Sequence, residues 1–226
     1  MAIALRGTPT TGSAIDAGDI TLSMPAGLSE NDVVYVGYAL SQTAGSGGTS
    51  SAGWTQLSTN NDNTVRTQIF RKVIGASPDA SIVLTGNTGG TRSSSAIAIA
   101  FSGVDTSTPE DGVALVKATG ASTNPDPGSA TPNTTGAVAV IYAAINLIDT
   151  TGTGAPAGYS NFSQVSSNDN TDTTSYLAWK GSLTASTPED PGAFTGVSSG
   201  NWAAWTIIVK PAGTSNTKRN FGFIIG

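Results

Sequence analysis

The 226-residue chain contains neither cysteine nor histidine. Without cysteine it has no disulfides and no thiolate metal ligands, and without histidine it lacks the imidazole ligands of zinc. It also lacks the base that activates serine or cysteine nucleophiles in the commonest hydrolases, and no Gly-x-x-x-x-Gly-Lys-Ser/Thr loop is present to bind phosphates. We therefore expect no enzymatic activity, no cofactor and no metal.

Charged residues are also scarce, at 11% of the chain, whereas a typical soluble domain has about 25%. The formal net charge is −5, and the ten basic residues are scattered apart from Arg71-Lys72 and Lys218-Arg219. Binding of nucleic acid needs clustered basic residues that neutralise phosphates, so we expect no nucleic-acid partner. No apolar run reaches the roughly 18 residues of a membrane-spanning helix, so we expect no membrane insertion.

The N-terminus, Met1–Arg6, lacks the basic start and long apolar stretch of a secretion signal. A surface rich in Ser, Thr, Asn and Gly nevertheless suits a protein that is exposed outside a cell. A virion component reconciles the two observations, because it is made in the host cytoplasm and leaves on the particle. We therefore expect the protein to be located on a virion.

Seven segments have the period-two pattern and the β-branched and aromatic content of strands. Clusters of Gly, Ser, Asn and Pro, which supply turn conformations, separate them. No segment has a sustained apolar period of 3.6 residues, so the pattern predicts an all-β protein. The predicted strands are 32–40, 67–73, 81–84, 95–101, 137–145, 175–179 and 202–209.

Two segments, about 32–104 and 136–211, share an order of landmarks. Each has an apolar strand, an Ala-Gly-aromatic loop, an Asn-Asp-Asn turn, a strand that closes on lysine, a Ser-Pro or Thr-Pro loop and a long apolar strand. With about four strands each, neither half can bury both faces of a sheet alone. We therefore predict that residues 1–212 form a single antiparallel double-sheet β-sandwich, jelly-roll-like, built by internal duplication. In the connecting segment 105–135, residues 112–117 are a candidate edge strand.

Residues 213–226 differ in character from the rest of the chain. A Gly-Thr-Ser-Asn stretch is typical of a flexible linker, and an alternating apolar ending follows it. The ending suits an arm that adds a strand to a neighbouring subunit or protein; the alternative is a last strand of the chain's own sheet. The candidate interface residues are Lys218, Arg219, Phe221, Phe223 and Ile225.

Several short segments of the first half carry a resemblance to a known group of proteins. They are Leu5-Arg6-Gly7-Thr8, Leu28-Ser29-Glu30-Asn31-Asp32-Val33-Val34, Gly53-Trp54-Thr55-Gln56-Leu57, Phe70-Arg71-Lys72-Val73 and Phe101-Ser102-Gly103-Val104-Asp105-Thr106-Ser107-Thr108-Pro109. In this order they resemble virion proteins of tailed bacteriophages and prophages, over about the first 110 residues. The resemblance implies a β-sandwich module of a capsid decoration, a tail or a fibre, and it brings no catalytic residues.

Three further patterns have both a chemical and a structural interpretation. The acidic pairs Glu110-Asp111 and Glu189-Asp190 provide the carboxylates of a glycoside hydrolase, but neighbouring residues of an extended chain point to opposite sides, so a turn after proline is the better interpretation. The Asn-Asp-Asn sequences lack the spacing of a calcium loop and indicate hairpin turns. Trp54 and Trp202 are candidate ligand-stacking aromatics, although large aromatics also fill cores and interfaces.

These observations together predict a non-enzymatic structural protein of a tailed-phage virion. A capsid decoration or cement protein that stabilises the capsid exterior is the preferred interpretation. The expected partners are further copies of the chain, in a homotrimer, and the major capsid protein or other virion proteins. The alternatives are a tail or fibre component and a carbohydrate-binding adhesin module, for which the partner is a glycan.

Overall fold

The computed structural model describes residues 1–41, 47–62, 64–86, 92–146, 152–167 and 172–213, except for the side chains of residues 113 and 114. The described part of the chain contains strands and no helix, so no helix in it is available to cross a membrane. The strands are β1 Ala4–Ala14, β2 Ile20–Ser23, β3 Val33–Ser41, β4 Gly48–Thr49, β5 Thr55–Asp62, β6 Val65–Val73, β7 Ser81–Thr85, β8 Ser94–Ser102, β9 Glu110–Ser122, β10 Val138–Ile145, β11 Ser160–Ser166, β12 Thr174–Lys180 and β13 Gly200–Val209.

Two antiparallel five-stranded sheets pack face to face, and each is built by one half of the chain. The first main sheet has the order β1-β8-β3-β6-β5, and the second has the order β11-β12-β10-β13-β9. Apolar side chains from both sheets form one core between them, with Tyr35, Ile69 and Ile97 on one side and Tyr142 and Trp205 on the other. The all-β sandwich predicted from the sequence is confirmed.

The outer face of the first main sheet is covered by a small sheet of order β2-β7-β4. The first half alone therefore places β1-β8-β3-β6 opposite β2-β7-β4, which is the strand order of a jelly roll, with β5 transferred to the larger sheet. A second core lies between these layers and includes Val36, Tyr38, Phe70, Leu22 and Leu84. Both faces of β3 are consequently buried along its whole length.

The second half has the same topology, with its outer layer reduced to loops. Strands β9, β13, β10, β12 and β11 occupy the positions of β1, β8, β3, β6 and β5. Two isolated bridges, Ala130 with Glu189 and Gly154 with Thr195, stand where the small sheet pairs β2 with β7 and β4 with β7. Phe194 and Val197 cover the outer face of the second main sheet.

The ladder registers show which residues of the two halves correspond. Gly37 pairs with Ile69 and Ile97, and Tyr142 pairs with Leu177 and Trp205. The contacts between the main sheets also persist when the halves are exchanged, since β1 lies against β11 and β5 against β9. An approximate two-fold relation therefore connects the halves, and it includes β1 and β9, which lie outside the two segments compared by sequence.

The strand count differs from the expectation of about four strands per half. Thirteen strands are present in the described residues, and the additional ones are mostly short or lie at edges. Strands β1, β5 and β11 are rich in Thr, Ser and Asn and are only partly buried, so they lack the apolar alternation by which the central strands were predicted. The candidate edge strand at residues 112–117 is part of β9.

Candidate functional site

The landmarks shared by the two halves meet in space, as one lysine cluster in each half. In the first cluster the Lys72 Nζ lies 2.7 Å from Asp79 Oδ2 and 6.0 Å from the centre of the Trp54 ring. The same Nζ donates to the carbonyl oxygen of Ala52 at 3.1 Å. Gly53 makes the turn that brings this loop over the lysine, and its φ is +79°. Residues with a side chain disfavour this backbone conformation, whereas glycine adopts it readily.

The second cluster repeats this arrangement with Tyr159, Lys180 and Glu189. The Lys180 Nζ donates to both carboxylate oxygens of Glu189 at 2.9 Å and lies 5.9 Å from the Tyr159 ring centre. The Tyr159 hydroxyl donates to Glu189 Oε1 at 3.1 Å. Burial, and then the charge of Glu189, raise the pKa of Tyr159. In both clusters the lysine is neutralised by a carboxylate of its own half, so each cluster ties a loop to a strand.

The first acidic pair is divided between two separate networks. Glu110 accepts a hydrogen bond from the Tyr35 hydroxyl at 3.1 Å and forms an ion pair with Arg71. Since Tyr35 and Arg71 belong to the first half and Glu110 to β9, this network joins the two halves. Burial, and then the charge of Glu110, raise the pKa of Tyr35 well above its usual value.

Asp111, the next residue, is buried and has partners in a different loop. Its Oδ2 accepts hydrogen bonds from the backbone amides of Asn133 and Thr134 at 2.9 Å and 2.7 Å. The Thr134 hydroxyl donates to its Oδ1 at 3.1 Å. In the second acidic pair, Glu189 belongs to the second lysine cluster. Asp190 lies close enough to Asp126 that burial, and then the charge of Asp190, raise the pKa of Asp126. The two carboxylates of the first pair therefore do not act on one common site.

The first Asn-Asp-Asn sequence lies where a hairpin was predicted. Asn61 and Asp62 end β5 and pair with Arg66 and Val65 of β6. The second, residues 168–170, lies outside the described residues. Within the described ranges no group of three or more acidic side chains is placed to hold a metal ion.

The tryptophans serve mainly as packing residues. Trp202 and Trp205 point to opposite faces of β13, and both are buried because both faces of the sheet are covered. Their indole N–H groups donate to Ser122 Oγ at 3.3 Å and to Thr67 Oγ1 at 2.8 Å. Trp54 is partly buried against the second core, which lies between the first main sheet and the small sheet, and Lys72 lies over its ring. The buried face of Trp202 is not accessible to a ligand in this structure.

A concave site lies at one end of the sandwich, and we call it the end groove. Its volume is about 650 Å³. It is lined by Met1–Ile3, Thr134–Gly136, Val138, Trp179, Gly181, Ser182 and Pro211–Gly213. The Trp179 ring packs edge-on against Phe101, with 5.4 Å between ring centres. Its Nε1 is shielded from solvent and has no hydrogen-bond acceptor among the described residues.

Two residues that line the end groove differ from their counterparts in the first half. Because Lys72 corresponds to Lys180 in the ladders, Trp179 stands where the first half has Arg71, and Gly181 stands where it has Val73. Val73 packs against the core between the main sheets, whereas at Gly181 the Trp179 ring takes up the space, since a Cβ there would lie 3.0 Å from Trp179 Cζ3. The sequence pattern predicted that Trp179 lies in a strand, but it did not predict the groove. An alignment of the two halves through Lys72 and Lys180 would have shown that Trp179 and Gly181 differ from their counterparts.

The ionised groups near this end also have internal partners. Asp105 accepts hydrogen bonds from the Ser107 hydroxyl at 2.6 Å and forms an ion pair with Lys210 at 2.9 Å. The hydrogen bond from Ser107, followed by that from Lys210, holds the pKa of Asp105 well below its usual range. The sequence-predicted interface residues Lys218, Arg219, Phe221, Phe223 and Ile225 lie outside the described residues.

Comparisons with known proteins add no assignment to this geometry. No family model, no curated protein and no solved structure matches the chain significantly.

Proposed function

We propose that the protein is a non-enzymatic structural protein of a tailed-phage virion, and specifically a decoration or cement protein of the capsid exterior. The observation that carries the non-enzymatic part is the use of its carboxylates. Glu110, Asp111 and Glu189, three of the four candidate catalytic carboxylates, are each bound by side chains or amides of the chain itself. Catalytic groups need a free position beside a substrate, and these groups hold the fold together.

The architecture supports a mechanical role. Two jelly-roll halves pack through their larger sheets, and covering layers bury the outer faces. Jelly rolls are frequent in viral capsid proteins and in lectins, so the fold is compatible with the proposal. The resemblance of the first 110 residues to virion proteins supplies the choice of particle.

Such a protein stabilises a particle by burying surface on it. A stable contact needs about 1,000 Å² or more of total buried area. With only 11% charged residues, the protein offers a largely neutral, hydroxyl-rich surface. We therefore expect binding to depend weakly on salt, since few ion pairs are available to be screened. Self-association into a homotrimer would raise the overall affinity for the particle, because once one subunit is bound the other two are held at high effective concentration near their own sites.

The test uses particles of the phage or prophage that encodes the chain, purified from a strain in which the gene is deleted. Labelled protein is added to separated heads and tails, and sedimentation measures which of them it binds. We expect saturable binding to heads, competition by unlabelled protein, and a higher temperature of head disruption. Binding to tails alone would identify a tail or fibre component, and binding only to an immobilised glycan panel would identify an adhesin; either result refutes the decoration role.

A further inference from the structure

Each half of the chain has the features of a separate folding unit. Every ladder in the described residues pairs strands of one half only, so the halves share no sheet. Each half also has a core of its own on the outer side of its main sheet. The chain passes from the first half to the second once, between the end of β8 at Ser102 and the start of β9 at Glu110. We call residues 103–109 the connection.

The surface shared by the halves has the size of a specific protein–protein interface. Five strands at a spacing of about 4.8 Å, with about 3.3 Å per residue along strands of 9 residues such as β3, give a sheet face of roughly 700 Å². The two facing sheets therefore bury roughly 1,400 Å² or more in total. Stable complexes between separate proteins bury about 1,200–2,000 Å², so this contact is large enough to hold two molecules together.

Hydrogen bonds across this interface fix one arrangement of the halves. Between the sheets, Trp205 Nε1 of the second half donates to Thr67 Oγ1 of the first at 2.8 Å. Near the edge formed by β5 and β9, Asn60 Nδ2 donates to the carbonyl oxygens of Ala118 at 2.9 Å and Ala204 at 3.3 Å. Each half therefore buries donors whose acceptors lie in the other half, which penalises any other arrangement of the two sheets.

The exposed part of the connection adds nothing to the core that the halves share. Residues 106–108 are exposed. The hydroxyls of Ser107 and Thr108 donate to Asp105, within the same turn. A cut between Thr106 and Ser107 consequently removes no residue from the core between the main sheets.

We propose that the inner faces of the two main sheets form a self-sufficient protein–protein interface, whose partner is the complementary half of the same chain or of a second copy. The partner is complementary and not identical, because Gly37 of the first half receives the Tyr142 ring of the second. A chain cut in the connection therefore stays folded, and the corresponding half of a second copy replaces the original one. The interface needs no virion partner, so it stands independently of the proposed function.

The test cuts the folded protein in the connection, through a protease recognition sequence inserted between Thr106 and Ser107. We expect the two fragments to elute together from a sizing column at micromolar concentration, with the near-ultraviolet circular dichroism of the uncut variant. A mixture of isotope-labelled and unlabelled cut protein, unfolded in urea and refolded, should give mixed pairs in native mass spectrometry. Co-expression of residues 1–106 and 107–226 as separate chains repeats the test without an insertion. Fragments that separate, that aggregate on refolding or that pair without mixing would overturn the proposal.

A second cut is the matched control. The same recognition sequence between Ala76 and Ser77 lies in an exposed loop of the first half, and cutting there separates β8 from its ladder partners β1 and β3. We expect the protein cut in the connection to recover after refolding and the control to fail. Gly37→Ala should raise the dissociation constant of the halves about 30- to 150-fold, whereas Gly75→Ala, at a position with open space around it, should not change it. Equal recovery after both cuts, or pairing insensitive to Gly37→Ala, would show that the inner faces are not the interface.

Discussion

The packing of Tyr142 against Gly37 allows a quantitative test of the two-fold arrangement. The two residues correspond in the halves, yet one has no side chain and the other has a large ring. A Cβ built on Gly37 would overlap that ring, at 2.6 Å from Tyr142 Cγ and closer still to Cδ2 and Cε2. The ring is buried and cannot easily withdraw, because its hydroxyl is within 2.7 Å of Ser175 Oγ, which in turn is within 2.7 Å of Ser95 Oγ.

We therefore expect Gly37→Ala to lower the free energy of unfolding by about 2–3 kcal/mol. Overpacking of a core costs about 1–3 kcal/mol, and a displaced ring loses a hydrogen bond of about 1 kcal/mol. Replacement of glycine by alanine also stabilises the protein by about 0.4–1 kcal/mol, because it reduces the conformational entropy of the unfolded chain. For a chain of this size the loss corresponds to a decrease in Tm of about 5–10 °C. Calorimetry and urea unfolding measure both quantities.

A double-mutant cycle isolates the contact. In a Tyr142→Ala background the ring is gone, so Gly37→Ala should cost almost nothing, and the coupling energy should be about 2–3 kcal/mol. Gly75→Ala is the matched control, because a Cβ there meets nothing within 4 Å, and we expect a change within about 0.5 kcal/mol. If Gly37→Ala is as stable as the unsubstituted chain, or equally destabilising in both backgrounds, the packing account of this interface is wrong.

Three further predictions concern charge and assembly. Glu110→Gln should lower the free energy of unfolding by about 2 kcal/mol, because it leaves a partly buried arginine without its carboxylate, whereas the exposed Glu30→Gln should change it by less than about 0.5 kcal/mol in urea titrations. Hydrogen bonds, first from Ser107, depress the pKa of Asp105; its stabilisation is therefore complete above the unfolded pKa of about 3.9 and is lost as the pH falls toward the folded pKa. Urea midpoints of Asp105→Asn should consequently fall less between pH 5 and pH 2 than those of the parent, while the exposed Asp16→Asn should follow the parent, and identical acid limbs for all three would contradict this reasoning. Light scattering at micromolar concentration should give the mass of a homotrimer, and a monomer throughout would exclude self-assembly in solution.

The central strands were predictable because both of their faces are buried. Strands β3, β8, β10 and β13 are nearly continuous runs of apolar residues, which stand out from the Ser, Thr and Gly background. Edge strands such as β1 and β5 have one ladder partner and partly exposed side chains, so selection for apolar residues is weak there. Their placement follows from the topology of the whole half.

The candidate sites were predictable only where the sequence repeats itself. Each lysine cluster uses residues that the repeat had marked, such as Lys72 and Lys180. The ion pair of Arg71 with Glu110 joins residues 39 positions apart in different halves, and no local pattern announces it. Two residues that line the end groove differ between the halves, and a search for similarity does not reveal them.

The differences between corresponding residues explain why the two halves bind each other. At the two-fold centre, Gly37 of one half receives Tyr142 of the other; two copies of the first half would leave a hole there, and two copies of the second half would place two rings in one space. Away from the centre, Arg71 of the first half forms an ion pair with Glu110. At the equivalent position of the second half, Trp179 packs against Phe101, so this contact is between two aromatic rings. Each half is therefore complementary to its partner and not to itself.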